Sequence, residues 1–496
     1  MTRSVFAIVF ALCAPMIPLS AADSPPNILF IFADDQAYDT LGPSGDPMVQ
    51  TPNLDRLADR GTQFTHCFNM GSWTGAVCVA SRTMLNTGKT LWHAHAIQQS
   101  LGAIRKQSQA QQERFYDSFW SRRMSTLGYE TYFSGKWHVS VDAKKLFDHV
   151  VHIRPGMPGD SRSDKSTTVG YHRPIEGQKD DWDPTDRKFG GFWEGGKHWS
   201  EVLGDDAITF LQSEGKKKNS GNTKPFFMYL AFNAPHDPRQ SPQRYLDRYP
   251  LEDIKLPAPY QSKYPHITSG LNPNLRDEAL AVYPRTEYAV KVHRREYYSL
   301  VTHMDDQVGR ILGELDKQGL RENTWVIFTA DHGLACGHHG LMGKQNMYDH
   351  SIRPPFIIAG PKVKQGAKID TPIFLQDLMA TSLDIAGDKS RKGIEFRSIL
   401  PILEGKETSQ THKPVYSAYL ETQRAIRHDG WKLILYPKLK VKRLYNYAKD
   451  PNEITDLASQ SGQSDRMKSL FALLTEEQTR FDDKIDLSKP FPELTR

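Results

Sequence analysis

The sequence predicts an α/β protein with a large mixed, mostly parallel sheet sandwiched by helices, followed by a smaller C-terminal α+β subdomain. Two patterns support this prediction: continuous apolar runs that end in polar residues, and stretches of helical periodicity between those runs. A strand that is apolar at every position is typical of a parallel sheet covered on both faces. The length of 496 residues exceeds what one hydrophobic core usually supports, which indicates two lobes.

The first of these elements is NILFIFADD at residues 27–35, an apolar run that ends in two aspartates. TPNLDRLADRGTQF follows with the features of a helix, since Thr51 suits the N-cap and Pro52 the first helical position. The alternation continues with a long helix over residues 287–317 and with strands at YETYFSGKWH, KPFFMYLAFNAPH, TWVIFTADHG and PPFIIAGP. Sites in such sheets gather just past the carboxyl ends of the strands.

Composition divides the chain into three parts. Residues 1–22 are predicted to be a signal peptide, residues 23–390 to form the main domain, and residues 391–496 to form a subdomain with a small antiparallel sheet and a helix. Two aperiodic stretches of the main domain, at about residues 155–197 and 238–284, are rich in Pro, Gly, Asp and aromatic residues. Long insertions of this kind commonly form the walls of a binding site.

The N-terminal segment has the order of parts of a secretory signal peptide. Arg3 precedes an apolar run over residues 5–19, and small residues end at Ala21 or Ala22. The run is broken by prolines and is too short to span a bilayer. We therefore expect an exported protein, periplasmic or secreted, without stable membrane insertion.

Three cysteines follow this segment: Cys67, Cys78 and Cys336. An exported protein with an odd number of cysteines leaves one thiol free or uses it chemically. Cys67 and Cys336 could pair with each other, and the sequence does not decide this.

The net charge of +5 is small for this length, and the dense basic face of a nucleic-acid-binding protein is missing. Short basic clusters at residues 216–218 and 438–443 suit either solvated surface or an anionic polymer as substrate. We therefore predict no nucleic-acid partner.

Two strand ends carry side chains that suit a metal ion. Asp34 and Asp35 end the first apolar run, and Asp331 and His332 end another, where Gly333 permits a turn. Carboxylates that converge at a strand end can bind a hard divalent cation. Taken singly, each pair also fits a helix cap, a solvated turn or a histidine with an ordinary hydrogen-bond partner.

Cationic and imidazole side chains follow other strands. Lys136 and His138 lie in SGKWHVS, His236 lies in NAPHDP, and Lys344 lies in LMGKQN. Each is a common surface residue by itself. Cations gathered near a metal are costly unless an anion lies between them, so the set favours an oxyanion ligand such as sulfate or phosphate.

The stretch GAVCVASRTMLNTG contains Cys78, which by itself fits a buried thiol at the start of a helix. Together with ADD, GKWH, APH, ADHG and GK, in that order, it resembles the type I, formylglycine-dependent sulfatases of the alkaline phosphatase superfamily. Their signature is Cys, any residue, Pro or Ala, Ser and Arg, followed by Thr-Gly, and it reads here CVASRTMLNTG. The resemblance implies an alkaline phosphatase-like fold and makes residues 23–390 the catalytic domain.

The resemblance also implies a nucleophile and a metal. In that family the cysteine, here Cys78, is oxidised after synthesis to Cα-formylglycine by a maturation enzyme. The hydrated aldehyde can attack sulfur and later collapse back to the aldehyde, whereas a serine would leave a stable sulfate ester. Ca²⁺ would be bound by Asp34, Asp35, Asp331, His332 and the modified residue 78.

The other matching residues acquire roles by the same resemblance. Arg82 would hold the diol, with Lys136 beside it, and His138 would take the proton that restores the aldehyde. His236 would protonate the leaving alcohol, and Lys344 would bind the sulfate. A helix that starts at Cys78 would also aim backbone N–H groups at the anion.

Two positions depart from the commoner family pattern. Ala80 replaces proline, which stays within the recognised modification motif but can change which maturation enzyme accepts the chain. His332 stands where many relatives have asparagine, a choice that resembles the iduronate-2-sulfatase-like branch. Neither changes the implied class.

A sulfated carbohydrate or polysaccharide is the substrate that we expect. Sugars stack on aromatic faces, which suits Trp182, Trp193 and Trp199, although these tryptophans fit a core position equally well. His93 and His95 follow the signature helix and could line the subsite of the sugar nearest the sulfate.

Two other functions remain open from the sequence. One is a phosphonate or phosphate diester hydrolase of the same superfamily, which can share the formylglycine. The other is a non-catalytic protein that binds sulfated glycans and keeps Cys78 as a thiol.

Overall fold

The computed structural model describes residues 25–42, 45–154, 156, 170–187, 191–192, 196–222, 224–237, 239–266, 275–388, 390–406 and 413–495. The expected signal peptide and Trp193 lie outside these residues. Among the helices that are described, none is long and apolar enough to cross a bilayer.

The strands are β1 Asn27–Asp34, β2 Thr62–Phe64, β3 Cys67–Phe68, β4 Gly71–Ser72, β5 Glu130–Lys136, β6 His149–Arg154, β7 Phe226–Pro235, β8 Thr324–Ala330, β9 Phe356–Ala359, β10 Ala367–Ile369, β11 Ile373–Phe374, β12 Val415–Tyr419, β13 Gln423–His428, β14 Trp431–Tyr436 and β15 Val441–Tyr445. The α-helices are α1 Pro52–Asp59, α2 Val77–Thr87, α3 Leu91–Ile104, α4 Gln109–Tyr116, α5 Trp120–Thr126, α6 Trp199–Asn219, α7 Gln243–Leu246, α8 Glu287–Lys317, α9 Asp349–Ile352, α10 Asp377–Ile385, α11 Leu400–Leu403 and α12 Ser464–Arg480.

The main sheet has eight strands in the order β10-β2-β9-β8-β1-β7-β5-β6. The run β8-β1-β7-β5-β6 is parallel throughout, while β9 is antiparallel to both of its neighbours. This confirms the predicted mixed, mostly parallel sheet. The four strands that precede the predicted polar residues, β8, β1, β7 and β5, are adjacent, so their carboxyl ends meet at one edge.

Helices cover both faces of this sheet, as the apolar strands require. Along β1, Phe30 and Phe32 pack into a cluster that includes Trp120 of α5. The alternate residue Ile31 packs into a second cluster that includes Met304 of α8. Successive side chains of a strand point to opposite faces, which explains why every position of β1 between Asn27 and Asp34 is apolar. The predicted layers of helices on both faces are thereby confirmed.

The smaller sheet has the order β15-β14-β13-β12-β4. Strands β12 to β15 form antiparallel hairpins, and Leu474 of α12 packs with Leu433 of β14. This confirms the expected C-terminal α+β part. The edge strand β4 comes from the main part of the chain, and Gly71 has φ of 93° there with no room for a side chain against the Ala418 carbonyl.

The three cysteines that follow residue 24 are buried and unpaired, so Cys67 and Cys336 do not form a disulfide. Cys67 lies in the cluster on one face of the main sheet, whereas Cys336 packs with Leu334 and Tyr297 in a separate cluster. The sequence left this pairing open, and the structure excludes it, because the two thiols belong to different parts of the core.

A buried ionic cluster joins the smaller sheet to the main part. The ammonium group of Lys432, fully buried on β14, lies 2.7 Å from an Asp349 oxygen and 2.6 Å from a Glu453 oxygen. The guanidinium of Arg427 lies 3.6 Å from the other Asp349 oxygen. Burial raises the pKa of Asp349, but Lys432, Arg427 and Arg353 outweigh this and hold it well below its usual range.

Lys432→Met is expected to destabilise the fold, because it leaves two carboxylates buried without their shared cation. Breaking a buried ion pair from one side typically costs about 3–5 kcal/mol. Thermal unfolding of the whole chain measures the effect as a fall in Tm. Lys438→Met removes an exposed lysine paired with exposed Glu421 and is the matched control, for which Tm should stay unchanged. An equal Tm for the two variants would contradict the stabilising role.

Candidate active site

Helix α2 presents Cys78 and Arg82 to the edge of the main sheet. The two residues are four positions apart and therefore share one face of the helix, and both are buried. Cys78 lies in the first turn, where backbone N–H groups have no partners within the helix. Gly88 ends the helix with φ of 65°, and an added Cβ would meet the Met379 sulfur at 2.9 Å. The positive φ and this close packing explain the glycine that ends the motif.

The ends of β1 and β8 bring Asp34, Asp35, Asp331 and His332 together. Asp35 has φ of 66°, and its backbone N–H donates to Asp331 Oδ1 over 3.1 Å. The Tyr297 hydroxyl donates to the Asp35 carbonyl over 2.6 Å. The chain therefore turns sharply after β1, and both aspartates face the same centre although they are neighbours in sequence.

Five groups at this edge have the arrangement of a cation site. One ligand atom from each lies within 4.8 Å of all the others, and all five residues are buried: Asp34, Asp35, Cys78, Asp331 and His332. His332 Nδ1 donates to the Gly333 carbonyl over 2.9 Å, which leaves the lone pair of Nε2 facing the cluster. Asp34 Oδ1 is buried without a hydrogen-bond partner. Three convergent carboxylates, one with an oxygen that accepts no hydrogen bond, fit a hard divalent cation.

Cations divide the site into two halves. In the first, Lys136 is paired with Asp34, and Arg82 lies 3.5 Å from Asp34 and 3.0 Å from Asp331. Burial raises the pKa of Asp34, but Lys136, His236, Arg82 and Lys344 overcome this and hold it well below its usual range. Asp34 therefore stays ionised.

The second half is built on Asp35. The Lys344 ammonium donates to both Asp35 oxygens, over 2.8 and 2.5 Å, and His236 Nε2 lies 3.6 Å from Oδ2. Burial and the neighbouring Asp34 and Asp331 raise the pKa of Asp35 against the effect of Lys344. A bound cation would offset this repulsion, because it supplies charge between the carboxylates.

The Cys78 sulfur lies where the two halves meet. It is 3.6 Å from the Lys136 ammonium, 3.7 Å from that of Lys344 and 3.4 Å from His332 Nε2. Burial and the Asp34 charge raise the pKa of the thiol well above its usual range, although both lysines oppose them. A free thiol at this position is therefore neutral. Cysteines that act as thiolates have a lowered pKa, which is the opposite direction.

The two predicted histidines lie beside these halves. Burial and Lys136 lower the pKa of His138 to about 3, and its buried Nδ1 has no hydrogen-bond partner. Burial, Lys344 and Lys136 also lower the pKa of His236, whose Nδ1 donates to the Asp237 carbonyl over 2.7 Å. Both imidazoles are therefore neutral and able to accept a proton.

Residues expected at the substrate subsite have other partners. His93 is paired with Glu395 of the C-terminal part at 2.9 Å, and His95 stacks on Trp73 with ring centroids 5.3 Å apart. The Arg154 guanidinium lies over the Trp199 ring, and that of Arg173 over the Trp182 ring. Their contact with a sugar stays a prediction.

Sequence reasoning missed several residues that support the site. The side chains of Asn69 and Ser81 both donate to the Asp331 carbonyl over 2.7 Å, and Tyr297 reaches Asp35 from α8. For Asn69 and Tyr297, no spacing or motif in the sequence separates them from ordinary polar residues. Ser81 alone had a signal, because it belongs to the CVASR motif.

Comparison with known proteins gives matches over nearly the whole chain. The family model "Sulfatase" matches residues 26–388, and "N-sulphoglucosamine sulphohydrolase, C-terminal" matches residues 337–480. An N-acetylglucosamine-6-O-sulfatase of Bacteroides thetaiotaomicron is 26% identical, covering 96% of this chain and 90% of the relative. A choline-sulfatase of Rhizobium meliloti is 26% identical, covering 87% and 82%.

Solved structures share the fold. A complex with the substrate D-glucosamine-2-N,6-O-disulfate aligns with a TM-score of 0.67 at 23% identity, covering 94% of this chain and all of the other. A phosphonate monoester hydrolase of Agrobacterium radiobacter aligns with the same TM-score at 20% identity, covering 92% and 96%. At this identity the alignments establish the architecture alone.

The cluster of carboxylates predicts that the purified protein binds a divalent cation. Ca²⁺ added after chelation is expected to raise Tm, because a ligand that binds only the folded state stabilises it. Asp331→Asn should abolish this rise, measured by thermal unfolding and by calorimetric titration with Ca²⁺. Asp117→Asn changes an exposed carboxylate paired with Arg122 and should keep the rise. A full Tm response in Asp331→Asn would rule out this cation site.

Proposed function

Because the chain belongs to the sulfatase family and is therefore a sulfate-ester hydrolase, we propose that it removes sulfate from a sulfated carbohydrate or polysaccharide outside the cytoplasm. The observation that carries the proposal is the charge arrangement around residue 78. Three buried carboxylates, those of Asp34, Asp35 and Asp331, lie among three buried cations, those of Arg82, Lys136 and Lys344. A divalent cation added to this balanced set makes the site positive, which favours an oxyanion.

Residue 78 is the nucleophile in this proposal, after conversion of Cys78 to formylglycine by a maturation enzyme. The neutral, buried thiol would be a poor nucleophile as it stands. When hydrated, the aldehyde would offer one hydroxyl as the nucleophile toward sulfur and a second through which the aldehyde could be restored. Ca²⁺ would be held by Asp34, Asp35, Asp331, His332 and residue 78, and it would polarise the sulfate oxygens.

The remaining side chains bind the anion and move protons. Arg82 and Lys136 neutralise charge on one side of residue 78, and Lys344 does so on the other. His138 accepts the proton released when the aldehyde is restored. To protonate the departing alcohol oxygen, His236 must first take up a proton at Nε2, because Nδ1 already carries the proton that it donates to the Asp237 carbonyl. The negative charge of a bound sulfate ester beside the ring would favour this uptake.

The mass of the peptide that carries residue 78 tests the nucleophile. Protein made with a maturation enzyme should have the mass of the aldehyde, and Cys78→Ala should release no sulfate although it folds with an unchanged Tm. A cysteine that stays intact under these conditions, in a protein that still binds sulfated polysaccharide, would favour the non-catalytic glycan-binding protein.

A panel of substrates tests the reaction class. Free sulfate is expected from a sulfated saccharide such as N-acetylglucosamine 6-sulfate or a sulfated polysaccharide, and choline sulfate serves as the comparison without a sugar. An aryl phosphonate monoester belongs in the panel, because phosphonate monoester hydrolases share this fold at TM-scores of 0.67 and 0.68. Faster turnover of the phosphonate than of every sulfate ester would overturn the proposal.

A further inference from the structure

Three consecutive residues, Arg276, Asp277 and Glu278, contact the two loops that carry His236 and Lys344. They lie in the second aperiodic stretch of the chain, where no motif marks them. The carboxylates of Asp277 and Glu278 are buried, and their residues are only 4% and 5% exposed. Buried charges are costly unless they are paired, so the partners of this segment identify what it holds in place.

Arg276 is directed to the His236 loop. Its guanidinium forms a two-pronged pair with the carboxylate of Asp237, with Nη2 3.0 Å from Oδ1 and Nη1 bound to Oδ2. Asp237 in turn holds His236, because its carbonyl accepts from Nδ1 over 2.7 Å and its carboxylate lies 3.3 Å from the same atom. A bidentate pair fixes the orientation of both partners, so Arg276 fixes the backbone and side chain beside His236.

Asp277 is directed to the Lys344 loop. Its Oδ2 accepts from the Gln345 side-chain amide over 2.8 Å and lies 3.8 Å from the Lys344 ammonium. Gln345 also accepts from the Lys344 backbone N–H over 3.1 Å. Asp277 therefore contacts the Lys344 side chain and its neighbour from one side, and its other oxygen is paired with Arg276.

Glu278 holds the backbone just before Lys344. Its carboxylate accepts from the N–H of Met342 over 3.1 Å and from that of Gly343 over 2.9 Å. Arg285, which is 2% exposed, donates to the same carboxylate over 2.6 Å. A Cβ at Gly343 would lie 2.8 Å from the Asp277 Cβ, so the segment and the loop are in direct backbone proximity.

We propose that Arg276, Asp277 and Glu278 are positioning residues that set His236 and Lys344 in register with each other on the leaving-group side of the site. The inference rests on the proposed function, because it assigns the proton donor and the sulfate ligand to those two side chains. His236 and Lys344 both contact Asp35 Oδ2, so they already converge on one atom. Arg276, paired to both Asp237 and Asp277, links the two loops through one guanidinium.

The segment acts through other residues and does not bind substrate itself. Asp237, Asp277 and Arg276 together carry one excess negative charge, which would repel a further sulfate group of the substrate. Displacement of a catalytic group by about 1 Å can cost about 100-fold in rate, so positioning alone can produce a large kinetic effect. The expected signature is a loss in kcat with little change in KM.

The test uses full-length, modified enzyme and two substrates: the sugar sulfate that the wild type hydrolyses fastest, and 4-nitrophenyl sulfate. A phenolate leaves without protonation far more readily than a sugar alkoxide, so only the sugar sulfate depends strongly on His236. Arg276→Lys and Arg276→Met are compared with Arg424→Lys. Arg424 forms an equivalent bidentate pair with Asp483 in the C-terminal part, at 2.6 and 2.9 Å, far from the proposed machinery in sequence.

We expect Arg276→Met to lower kcat on the sugar sulfate by about 10- to 100-fold with KM within about threefold of the wild type. Loss on the aryl sulfate should be smaller, and Arg276→Lys should recover part of the rate. In a His236→Ala background, Arg276→Met should cost little more, because two residues that act as one unit are not additive. Arg424→Lys should lower Tm without changing kcat.

Three results for Arg276→Met would overturn the inference: a rise in KM at unchanged kcat, equal losses on both substrates, or full additivity with His236→Ala. If the wild type does not hydrolyse the aryl sulfate, the inference is tested on the sugar sulfate only. The measurements are then kcat and KM of the single variants and the additivity of the double variant. Sulfate release by the wild type and the mass of residue 78 are measured in parallel, so a failure of the proposed function is distinguishable from a failure of the positioning role. Glu278→Gln, which keeps one acceptor for the loop, is expected to lower kcat on both substrates through Lys344.

Discussion

Three carboxylates that point at one centre in the protein interior repel one another, and buried cationic side chains around them offset this repulsion. Asp34 is compensated by Lys136 and Arg82, and Asp35 by Lys344. Without these cations the ionised carboxylates would carry an uncompensated desolvation cost of several kcal/mol each. These cations lie on two sides of residue 78, with Lys136 and Arg82 on one side and Lys344 on the other. The same cations that offset the repulsion between the carboxylates are therefore the groups that we propose bind the anion.

The sheet makes this arrangement possible because it gathers distant parts of the chain at one edge. Asp34 ends β1 and Lys136 ends β5, two strands separated by β7, and Lys344 comes from a loop beyond β8. Parallel strands end at the same side, so each contributes a turn of the same orientation. The turns differ in chemistry while the strands beneath them are uniformly apolar and buried. Rigid packing below and polar turns above are two consequences of one topology.

Sequence reasoning reached the parts of the molecule whose signal is local. The apolar runs predicted β1, β7 and β8, and the helix over residues 287–317 has the predicted bounds. The segment of residues 276–278 gave no signal, because the role that we propose for it depends on contacts with loops up to about 70 positions away and not on its own spacing. The reversed strand β9 and the entry of β4 into the second sheet are also non-local pairings. Such strand pairings depend on which strand edges remain available after the other elements have packed, and the local sequence does not encode this.

The C-terminal part contributes to the site although none of the proposed catalytic groups comes from it. Lys432 of β14 holds Asp349 at the start of α9, and the last residues of α9 support the turn after β8. The N–H of Gly333 donates to the Ser351 carbonyl over 2.8 Å, at a position where a Cβ would meet the His350 carbonyl at 2.1 Å. The chain therefore needs glycine after Asp331 and His332 because α9 approaches that closely. A buried ion pair between β14 and α9 thus supports the turn that carries Asp331 and His332 at the edge of the main sheet.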